Sequence, residues 1–412
     1  MSPSSSASGN RDQILRLSDA GNCSSENSAP RIVSPGESLG MLGGGQLGRM
    51  FALAARRSGY HVQIFGDHSS SPAGQVADRS WPAALTEESQ LRQFAEHVSV
   101  VSLETENIPV RTVEFLEQFV PVYPSRELLR ASQHRLLEKT MLRSIGIPTA
   151  DFFSVKGIED LQNGLLQFGG TGILKTVTEG YDGKGQVRIA SLNGGEAAWS
   201  SLKTEEAILE REISFDCEVS VVAGRFADGR VVSFRPTVNH HVNHILDVSV
   251  TPSSLLDPAT EKQASEIAAA ILEHFGTYGV LCVEFFLTKS GQLLVNEIAP
   301  RPHNSGHLTI EACRSSQFEQ QFRAISGMPS GDVSQVCPAA MINLLGDHLM
   351  NATPERWQSV FAMPNVFVHL YGKAEARRGR KMGHLTVLAE TSERAEATAR
   401  KARAILMGEQ AR

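Results

Sequence analysis

The sequence predicts a multidomain chain that combines α/β and α+β units. Three observations carry that expectation. Near residue 40, a glycine-rich turn joins a short apolar run to a helical pattern and a second apolar run, the order of a βαβ unit. Much later, Leu281–Leu287 and Leu293–Ile298 flank Lys289-Ser290-Gly291-Gln292, which reads as a β-hairpin. At 412 residues the chain has room for two or three domains with sizeable cores.

Composition narrows the function classes. A net charge of −6 offers no basic footprint for nucleic acid. No apolar run approaches the ~20 residues needed to cross a bilayer, so neither nucleic acid nor membrane is expected as a partner. The five cysteines (Cys23, Cys217, Cys282, Cys313, Cys337) form no C-x-x-C pair. That argues against a zinc site or a disulfide framework and fits a reducing cytoplasm. The Ser-, Asn-, Gly- and Pro-rich lead, residues 1–37, reads as a disordered tail. Asp12, Asp19 and Glu26 spoil a transit peptide there, and no apolar core of a secretion signal is present.

Ordered structure is expected from Ser38. A strand, Leu39–Leu42, runs into Gly43-Gly44-Gly45-Gln46-Leu47-Gly48; a helix over Leu47–Ser58 and a strand over His61–Phe65 follow. The spacing fits a dinucleotide fingerprint with Asp67 as its acid, the mark of an NAD-dependent dehydrogenase. The physics alone says only that amides at a helix N-terminus bind an anion, typically a phosphate. Val98–Leu103 reads as a buried strand emptying into Glu104-Thr105-Glu106-Asn107-Ile108-Pro109, at the carboxyl end where α/β sheets bind ligands. Acids there can grasp donors on a ligand, or merely cap a solvated loop. One helix is expected over Glu127–Ser144, carrying Arg135 and Lys139 and ended by Gly146-Ile147-Pro148.

The middle of the chain changes character. Gly172–Lys175 reads as a strand, followed by Gly180-Tyr181-Asp182-Gly183-Lys184-Gly185-Gln186 and a strand over Val187–Ala190. Such a loop is either a plain turn or a flap whose amides close over phosphates. It is no Walker loop, because no G-K-[ST] opens a helix. Ala207–Ile213 reads as a strand, and Glu218–Val222 begins a new sheet with a turn at Arg225–Gly229. Asn239, His240, His241 and His244 crowd Pro236–Leu246, without a Cys or carboxylate at zinc-ligand spacing, so a loop near a phosphorylated substrate is expected. A long amphipathic helix covers Pro258–Phe275.

Register within the hairpin follows from counting outward. With a two-residue loop at Ser290-Gly291, Leu287 faces Leu294 and Glu284 faces Glu297. Directly opposed side chains have Cβ atoms roughly 5 Å apart, and like charges there repel. Two carboxylates in apolar strands then require a shared proton or a cation, and Mg²⁺ is the cation that takes one or two carboxylates plus phosphate oxygens. A longer loop would change the register and leave both solvated. Beyond the hairpin lies a proline-braced polar loop, Ala299–His307. Strands over Ala339–Leu344, Val366–Tyr371 and His384–Leu388 surround the basic Lys373–Lys381, and a helix over Ser392–Met407 closes the chain.

Six blocks in this order resemble an ATP-grasp enzyme, and more narrowly the 5-(carboxyamino)imidazole ribonucleotide synthase (PurK-type) family. They are GGGQLGRM at 43–50, D-x₄-P-A at 67–73, E-x-E-N-I-P at 104–109, GYDGKGQ at 180–186, NEIAPRPHNSGH at 296–307 and GRKMGH at 379–384. The resemblance covers about residues 38–390. It implies a Rossmann-like, pre-ATP-grasp substrate domain over 38–130 and an ATP-grasp domain over 131–331 with a mobile lid at about 145–213. A small C-terminal domain over 332–412 completes the expected architecture.

The activity it implies is a ligase of purine biosynthesis. ATP and bicarbonate give carboxyphosphate, which carboxylates the amine of 5-aminoimidazole ribonucleotide, in a cytoplasmic homodimer. ATP and Mg²⁺ are the implied cofactors. For ATP, the matching positions are Arg135, Lys175, Gly180, Tyr181, Asp182, Gly183, Lys184, Gly185 and Gln186. The hinge Glu210, Arg211, Glu212 and Ile213, then Glu218, His241, Asn296 and Glu297, complete that set. Glu284 and Glu297 match the metal site. Gly45, Gln46, Leu47, Gly48, Glu104, Lys373 and Arg380 match the ribonucleotide site, and Tyr181, Arg301, His303, Asn304 and His307 the reaction centre. Under this resemblance the glycine loop binds a ribonucleotide phosphate and not a dinucleotide. Pro236–Leu246 is one residue shorter than the family run, with His244 where glycine is usual; aligning from Ile245 puts Asn239 and His241 on the motif. A formate-using glycinamide ribonucleotide transformylase shares some blocks, but Tyr181-Asp182 and Asn304-Ser305-Gly306-His307 argue against it.

Overall fold

The computed structural model describes residues 29–178, 180 and 183–409. The first unit is a doubly wound parallel sheet. Its strands are β1 (Ser38–Leu42), β2 (His61–Phe65), β3 (Arg79–Trp81), β4 (Val100–Leu103) and β5 (Val122–Tyr123), in the order β3-β2-β1-β4-β5. Leu39, Met41 and Leu42 are all fully buried, the continuous apolar run of a strand covered on both faces. On one face α1 (Gln46–Arg57) buries Met50, Phe51 and Ala55. On the other, α2 (Glu88–Ala95) and α3 (Val110–Leu116) contribute Phe94 and Leu116 to a core with Phe65 and Leu103.

Two expectations are corrected here. The disordered tail does not reach residue 37: Val33 is fully buried against Phe51, Tyr60 and Ile325. Its carbonyl accepts from the Tyr60 hydroxyl at 2.9 Å, and its amide donates to Ser326 O at 2.9 Å. One buried valine is invisible in a composition dominated by polar residues. The single helix over Glu127–Ser144 is two helices, α4 (Arg126–Ser132) and α5 (Arg135–Ser144). Between them the Gln133 amide donates to Glu106 O and Ile108 O, and the His134 ring caps Leu137 N. Side-chain bonds that compete with helix continuation explain the break.

The segment expected to form the lid is a four-stranded antiparallel sheet ordered β6-β9-β7-β8, from β6 (Phe152–Val155), β7 (Gly172–Thr176), β8 (Gln186–Ile189) and β9 (Ala207–Glu210). It is backed by α6 (Ile158–Gln167) and α7 (Gly195–Leu202).

A nine-stranded sheet makes the body. It is built from β10 (Phe215–Arg225), β11 (Val231–Ser233), β12 (Thr237–Val242), β13 (Ile245–Thr251), β14 (Gly279–Thr288) and β15 (Leu293–Ala299). Beneath it runs α8 (Pro258–Phe275). Asp257 caps its Thr260 amide at 2.7 Å, Pro258 sits at the tolerant first position, and Gly276 ends it with a left-handed φ of +56°. Ala264, Ile267, Ala268 and Ile271 form the buried stripe that meets Val219, Val221, Leu281 and Val283. The region Pro236–Leu246, expected as a loop, is the β12–β13 hairpin, turning at Asn243 and His244 with φ of +51° and +64°. Polar alternation with two positive-φ residues is the pattern of a tight hairpin turn, masked in the sequence by the run of histidines.

After α9 (Thr309–Ala312) and α10 (Gln317–Ile325), the C-terminal unit extends the same sheet. Its strands are β16 (Ala339–Leu345), β17 (Val366–Leu370) and β18 (Lys381–Leu388), attached by the β13–β16 pair in the order β15-β14-β10-β12-β13-β16-β18-β17. The helices α11 (Gly346–Leu349), α12 (Pro354–Phe361) and α13 (Ser392–Met407) cover it.

Candidate active site

The site is organised on the β14–β15 hairpin. Its turn is longer than two residues: Thr288 N donates to Gln292 O, and Gly291 has a φ of +80°. The pairs are therefore Leu287 with Leu293, Phe286 with Leu294 and Phe285 with Val295, one residue off the expected count. A β-bulge then intervenes, and the next pair is Glu284 with Glu297. Asn296 and Glu297 together oppose Glu284, the two-against-one arrangement that a bulge creates. The expected carboxylate pair exists, but two offsets cancel to produce it.

The two carboxylates differ. Glu284 accepts from His303 Nε2 at 2.8 Å. Burial opposes its ionisation, yet His303 and then His241 hold its pKa down to about 2. Glu297 is ringed by protein but open to the cleft, and desolvation followed by Glu284 pushes its pKa up. Arg135 and Lys175 pull the other way. An added cation would relieve this opposition directly. Among the described residues no three His, Cys, Asp or Glu side chains form a metal cage. The donor set therefore fits Mg²⁺, which takes its remaining oxygens from phosphate and water.

Two cations, Arg135 of α5 and Lys175 of β7, lie near this floor. Arg135 donates to Thr176 O at 2.7 Å and Gly180 O at 2.8 Å, tying α5 to the start of the flap. Gly180 has a φ of +89°, and a Cβ there would lie 2.5 Å from Lys184 O, so only glycine fits. Lys175 Nζ donates to Glu210 Oε2 at 2.7 Å. Burial opposes ionisation of Glu210, but Lys175 and Lys139 hold its pKa down to about 2. Its other oxygen has no hydrogen-bond partner. The Glu210 side chain thus orients Lys175. Of its neighbours, Arg211 donates its amide to Asp151 O at 2.8 Å and Glu212 pairs with Arg188 at 2.8 Å. Gly183, Lys184, Gly185 and Gln186 lie in the flap or open β8, whereas Tyr181 and Asp182 lie outside the described residues.

Across the floor, Glu218 and His241 are in contact, and the carboxylate raises the His241 pKa against the opposing effect of burial. Asn239 points the same way along β12. It is sealed in a chain in which Ser249 donates to its Oδ1 at 2.7 Å and its Nδ2 donates to Ser220 Oγ at 2.9 Å. The hairpin turn closes between Val242 and Ile245.

The proline-braced loop supplies the centre. Arg301 Nε donates to Glu106 Oε2 at 2.5 Å. Glu106 ionises easily despite burial, because Arg301 draws its pKa down to about 2. His303 reaches Glu284 through Nε2 and Ser305 Oγ through Nδ1, at 2.8 Å each. Burial disfavours its charged form, but Cys282 and Glu284 carry its pKa up to about 10. Asn304 is buried with neither side-chain polar atom partnered. His307 is different: it is fully buried, and burial keeps its pKa well below the ordinary value. Its ring lies on His384 and Phe318, with centroids 4.7 and 5.6 Å away. The Gln317 amide donates to its Nδ1 at 3.1 Å, an orientation assigned because Gln317 Oε1 already accepts from His303 N. The sealed imidazole serves here as a hydrogen-bonding and packing group.

The glycine loop corrects another expectation. The amides of Gly45 and Gly48 are not bare; they donate to Glu104 at 2.7 and 2.9 Å. A Cβ at Gly45 would stand 2.5 Å from Glu104 Oε1, so glycine serves the approach of this carboxylate. Burial raises the Glu104 pKa, and the two amides oppose that rise. Leu47 continues α1 beside Gln46, whose Oε1 accepts from Lys373 Nζ at 2.7 Å. Burial and then Arg380 lower the Lys373 pKa to about 8. A cavity of about 360 Å³ is lined by Asp67, Ser71, Lys373, Arg377 and Arg380, among others. From the sequence, Gln317 and Arg377 are not named as site residues, and Glu106 reads only as one of two acids able to grasp donors on a ligand. The signal for Arg377 was the basic run itself; nothing local marks Gln317.

Known proteins resemble the chain along its length. Residues 37–133 match the ribonucleotide synthetase preATP-grasp domain, 140–318 the ATP-grasp domain, and 339–398 the phosphoribosylaminoimidazole carboxylase C-terminal domain. The N5-carboxyaminoimidazole ribonucleotide synthase of Brucella melitensis is 42% identical over 356 residues, 86% of this chain and 97% of that one. A bifunctional purine synthesis protein purC/E of Dictyostelium discoideum is 41% identical over 86% of this chain, which spans only 37% of that longer protein. Among solved structures, an ADP complex of an N5-carboxyaminoimidazole ribonucleotide synthetase superposes with a TM-score of 0.86 at 37% identity, covering 90% of this chain and 97% of that one. The Aspergillus clavatus enzyme with ADP and 5-aminoimidazole ribonucleotide gives 0.80 at 30% identity, covering 90% and 98%.

Proposed function

The chain belongs to the N5-carboxyaminoimidazole ribonucleotide synthase family, and from that premise we propose how its residues divide the work of an ATP-grasp ligase in purine biosynthesis. The reaction joins the carboxyl carbon of bicarbonate to the amine of 5-aminoimidazole ribonucleotide at the expense of ATP. A bicarbonate oxygen bonds to the γ-phosphorus as the bond to ADP breaks. The amine nitrogen then bonds to the carboxyl carbon as phosphate leaves and an amine proton is released.

Phosphoryl transfer is chiefly positioning and charge neutralisation. Glu284, Glu297 and Asn296 form the floor that would hold Mg²⁺ with the ATP phosphates, and the ion would supply charge neutralisation between phosphate oxygens. Lys175 meets those phosphates from the lid, held in place by Glu210, and Arg135 meets them from the start of α5. Glu218 and His241 bind toward the ribose. Arg301 and His303, charged and fixed by Glu106 and Glu284, hold the anionic bicarbonate and carboxyphosphate oxygens. Lys373, Arg380 and Glu104 position the ribonucleotide, and lid closure keeps water from a hydrolytically fragile acyl phosphate.

The observation that carries this division is the opposition of Glu284 and Glu297 on the hairpin that leads directly into Arg301 and His303. ATP hydrolysis by the purified protein should be stimulated by 5-aminoimidazole ribonucleotide in the presence of bicarbonate. Absence of that stimulation would overturn the assignment. A homodimer in the cytoplasm belongs to the same reading. No helix among the described residues is long and apolar enough to cross a membrane, and Cys217, Cys282, Cys313 and Cys337 are free thiols. Sedimentation of the full chain at twice the monomer mass would support the dimer, and monomer mass at micromolar concentration would contradict it.

A further inference from the structure

The bulge at Asn296 decides whether the carboxylates meet. An unbroken ladder continuing from Phe285–Val295 would oppose Glu284 to Asn296 and turn Glu297 to the other face, because side chains alternate along a strand. A bulge interrupts pairing and leaves backbone groups to be satisfied elsewhere. Here the need is acute, since β15 is the edge strand of the nine-stranded sheet.

The adjacent residues Glu138 and Lys139 of α5 meet that need from more than 150 residues away. Lys139 Nζ donates to Asn296 O at 2.8 Å, Val295 O at 3.1 Å and Thr149 Oγ1 at 2.8 Å. An ammonium has three donors, so all are used. This lysine is therefore committed to the backbone and is not a phosphate ligand like Lys175. Glu138 Oε2 accepts from the Ile298 amide at 3.0 Å. Together the pair grips β15 on both sides of Glu297: carbonyls before it and the amide after it. Both side chains are almost completely buried, Glu138 at 3% and Lys139 at 1% exposure. Glu210 Oε1, 3.9 Å from Lys139 Nζ, supplies the nearest carboxylate balance. Apart from the Val295 bridge to Pro148 and Thr149, this edge is held by the Glu138 and Lys139 side chains of α5.

We infer that Glu138 and Lys139 are positioning residues that clamp the β15 bulge and so hold Glu297 opposite Glu284 in the metal–phosphate site. The inference rests on the metal role given to the carboxylate pair above. It extends that role to side chains that touch neither metal nor nucleotide.

The test is Mn²⁺ binding to the full chain with ADP present, followed by electron paramagnetic resonance, alongside amide hydrogen exchange at Ile298. Removing a partner that orients a metal ligand typically weakens metal binding by roughly 10–100-fold. Glu138→Leu and Lys139→Met are expected to fall in that range, with faster exchange at Ile298 in the Leu variant. Glu138→Gln keeps an acceptor for the amide and is expected to stay within about twofold of wild type on the same grounds. Should the Leu or Met variant not fold, Glu138→Asp decides: it preserves charge but withdraws the carboxylate, and should weaken Mn²⁺ by about tenfold. Wild-type affinity in Glu138→Asp, or a loss in Glu138→Gln equal to that in Glu138→Asp, overturns the clamp. Glu297→Gln is the control that separates two failures. If it binds Mn²⁺ as wild type does, the metal reading is wrong; if it alone loses Mn²⁺, only the clamp is wrong.

Discussion

At the β14–β15 hairpin two carboxylates oppose each other in partly desolvated surroundings, whereas at the glycine loop a single carboxylate, Glu104, is met by two backbone donors. The first region is charge-frustrated: Glu297 is pushed toward its neutral form by desolvation and by Glu284, against Arg135 and Lys175. The second is already satisfied, and its cations, Lys373 and Arg380, stand on the C-terminal side of the cavity. Both lie near glycines and acids, yet under the proposed function a ligand would complete one and enter the other. Substitutions in the hairpin should consequently strike catalysis, and those around the glycine loop should strike stability or one substrate's affinity.

The largest effect is expected from Glu297→Gln. It removes the charge that makes the hairpin a cation site, and turnover should fall by roughly 10²–10³-fold, the scale of one lost electrostatic stabiliser. Circular dichroism should show an unchanged fold; unchanged turnover would remove Glu297 from the metal role. Next comes Glu104→Ala, which leaves the Gly45 and Gly48 amides without their acceptor. It should lower unfolding stability by roughly 1–3 kcal/mol per group that stays dry, whereas Glu297→Gln should not lower it. A denaturation midpoint for Glu104→Ala equal to that of wild type would erase the contrast between the regions.

Lys373→Ala should weaken 5-aminoimidazole ribonucleotide by roughly tenfold, the value of a hydrogen bond to a charged group, with ATP affinity nearly unchanged. Calorimetric titration of each ligand checks this, and equal losses would mean that the loop is not specific to one substrate. A smaller effect follows from its pKa of about 8. Below that value the lysine is charged before the ligand arrives. As pH rises through it, the ammonium is lost from the empty site and must be restored by proton uptake on binding. Ribonucleotide affinity should therefore fall between pH 7 and 9, by at most about tenfold per unit. Lys373→Ala should flatten that slope, and a persistent slope would place its origin elsewhere.

Local patterns carried much of the fold. α8 and α13 match their expected spans because caps, prolines and glycines punctuate a regular apolar stripe. The parallel sheet followed from short apolar runs set apart by the glycine loop. Breaks governed by distant partners did not show. The α4–α5 interruption depends on Gln133 reaching Glu106 O and Ile108 O, and the burial of Val33 depends on Ser326 and Tyr60. The hairpin is the sharpest case: its residues were legible, its turn was counted one residue short, and the bulge restored the pair. A bulge held by Glu138 and Lys139 leaves no mark within β15 itself. The same limit hid Gln317, whose partners His303 and His307 lie on another element.

The central claim is that Glu284 and Glu297 jointly hold the metal of ATP on the hairpin that feeds the bicarbonate loop. A crystal structure of the full chain with MgADP and 5-aminoimidazole ribonucleotide tests it most directly. The metal should be ligated by a carboxylate oxygen of each glutamate and by ADP phosphate oxygens, with Arg301 and His303 beside it and the ribonucleotide phosphate against Lys373 and Arg380. A metal bound away from either glutamate, or side chains of Glu284 and Glu297 on opposite faces of the sheet, would contradict it.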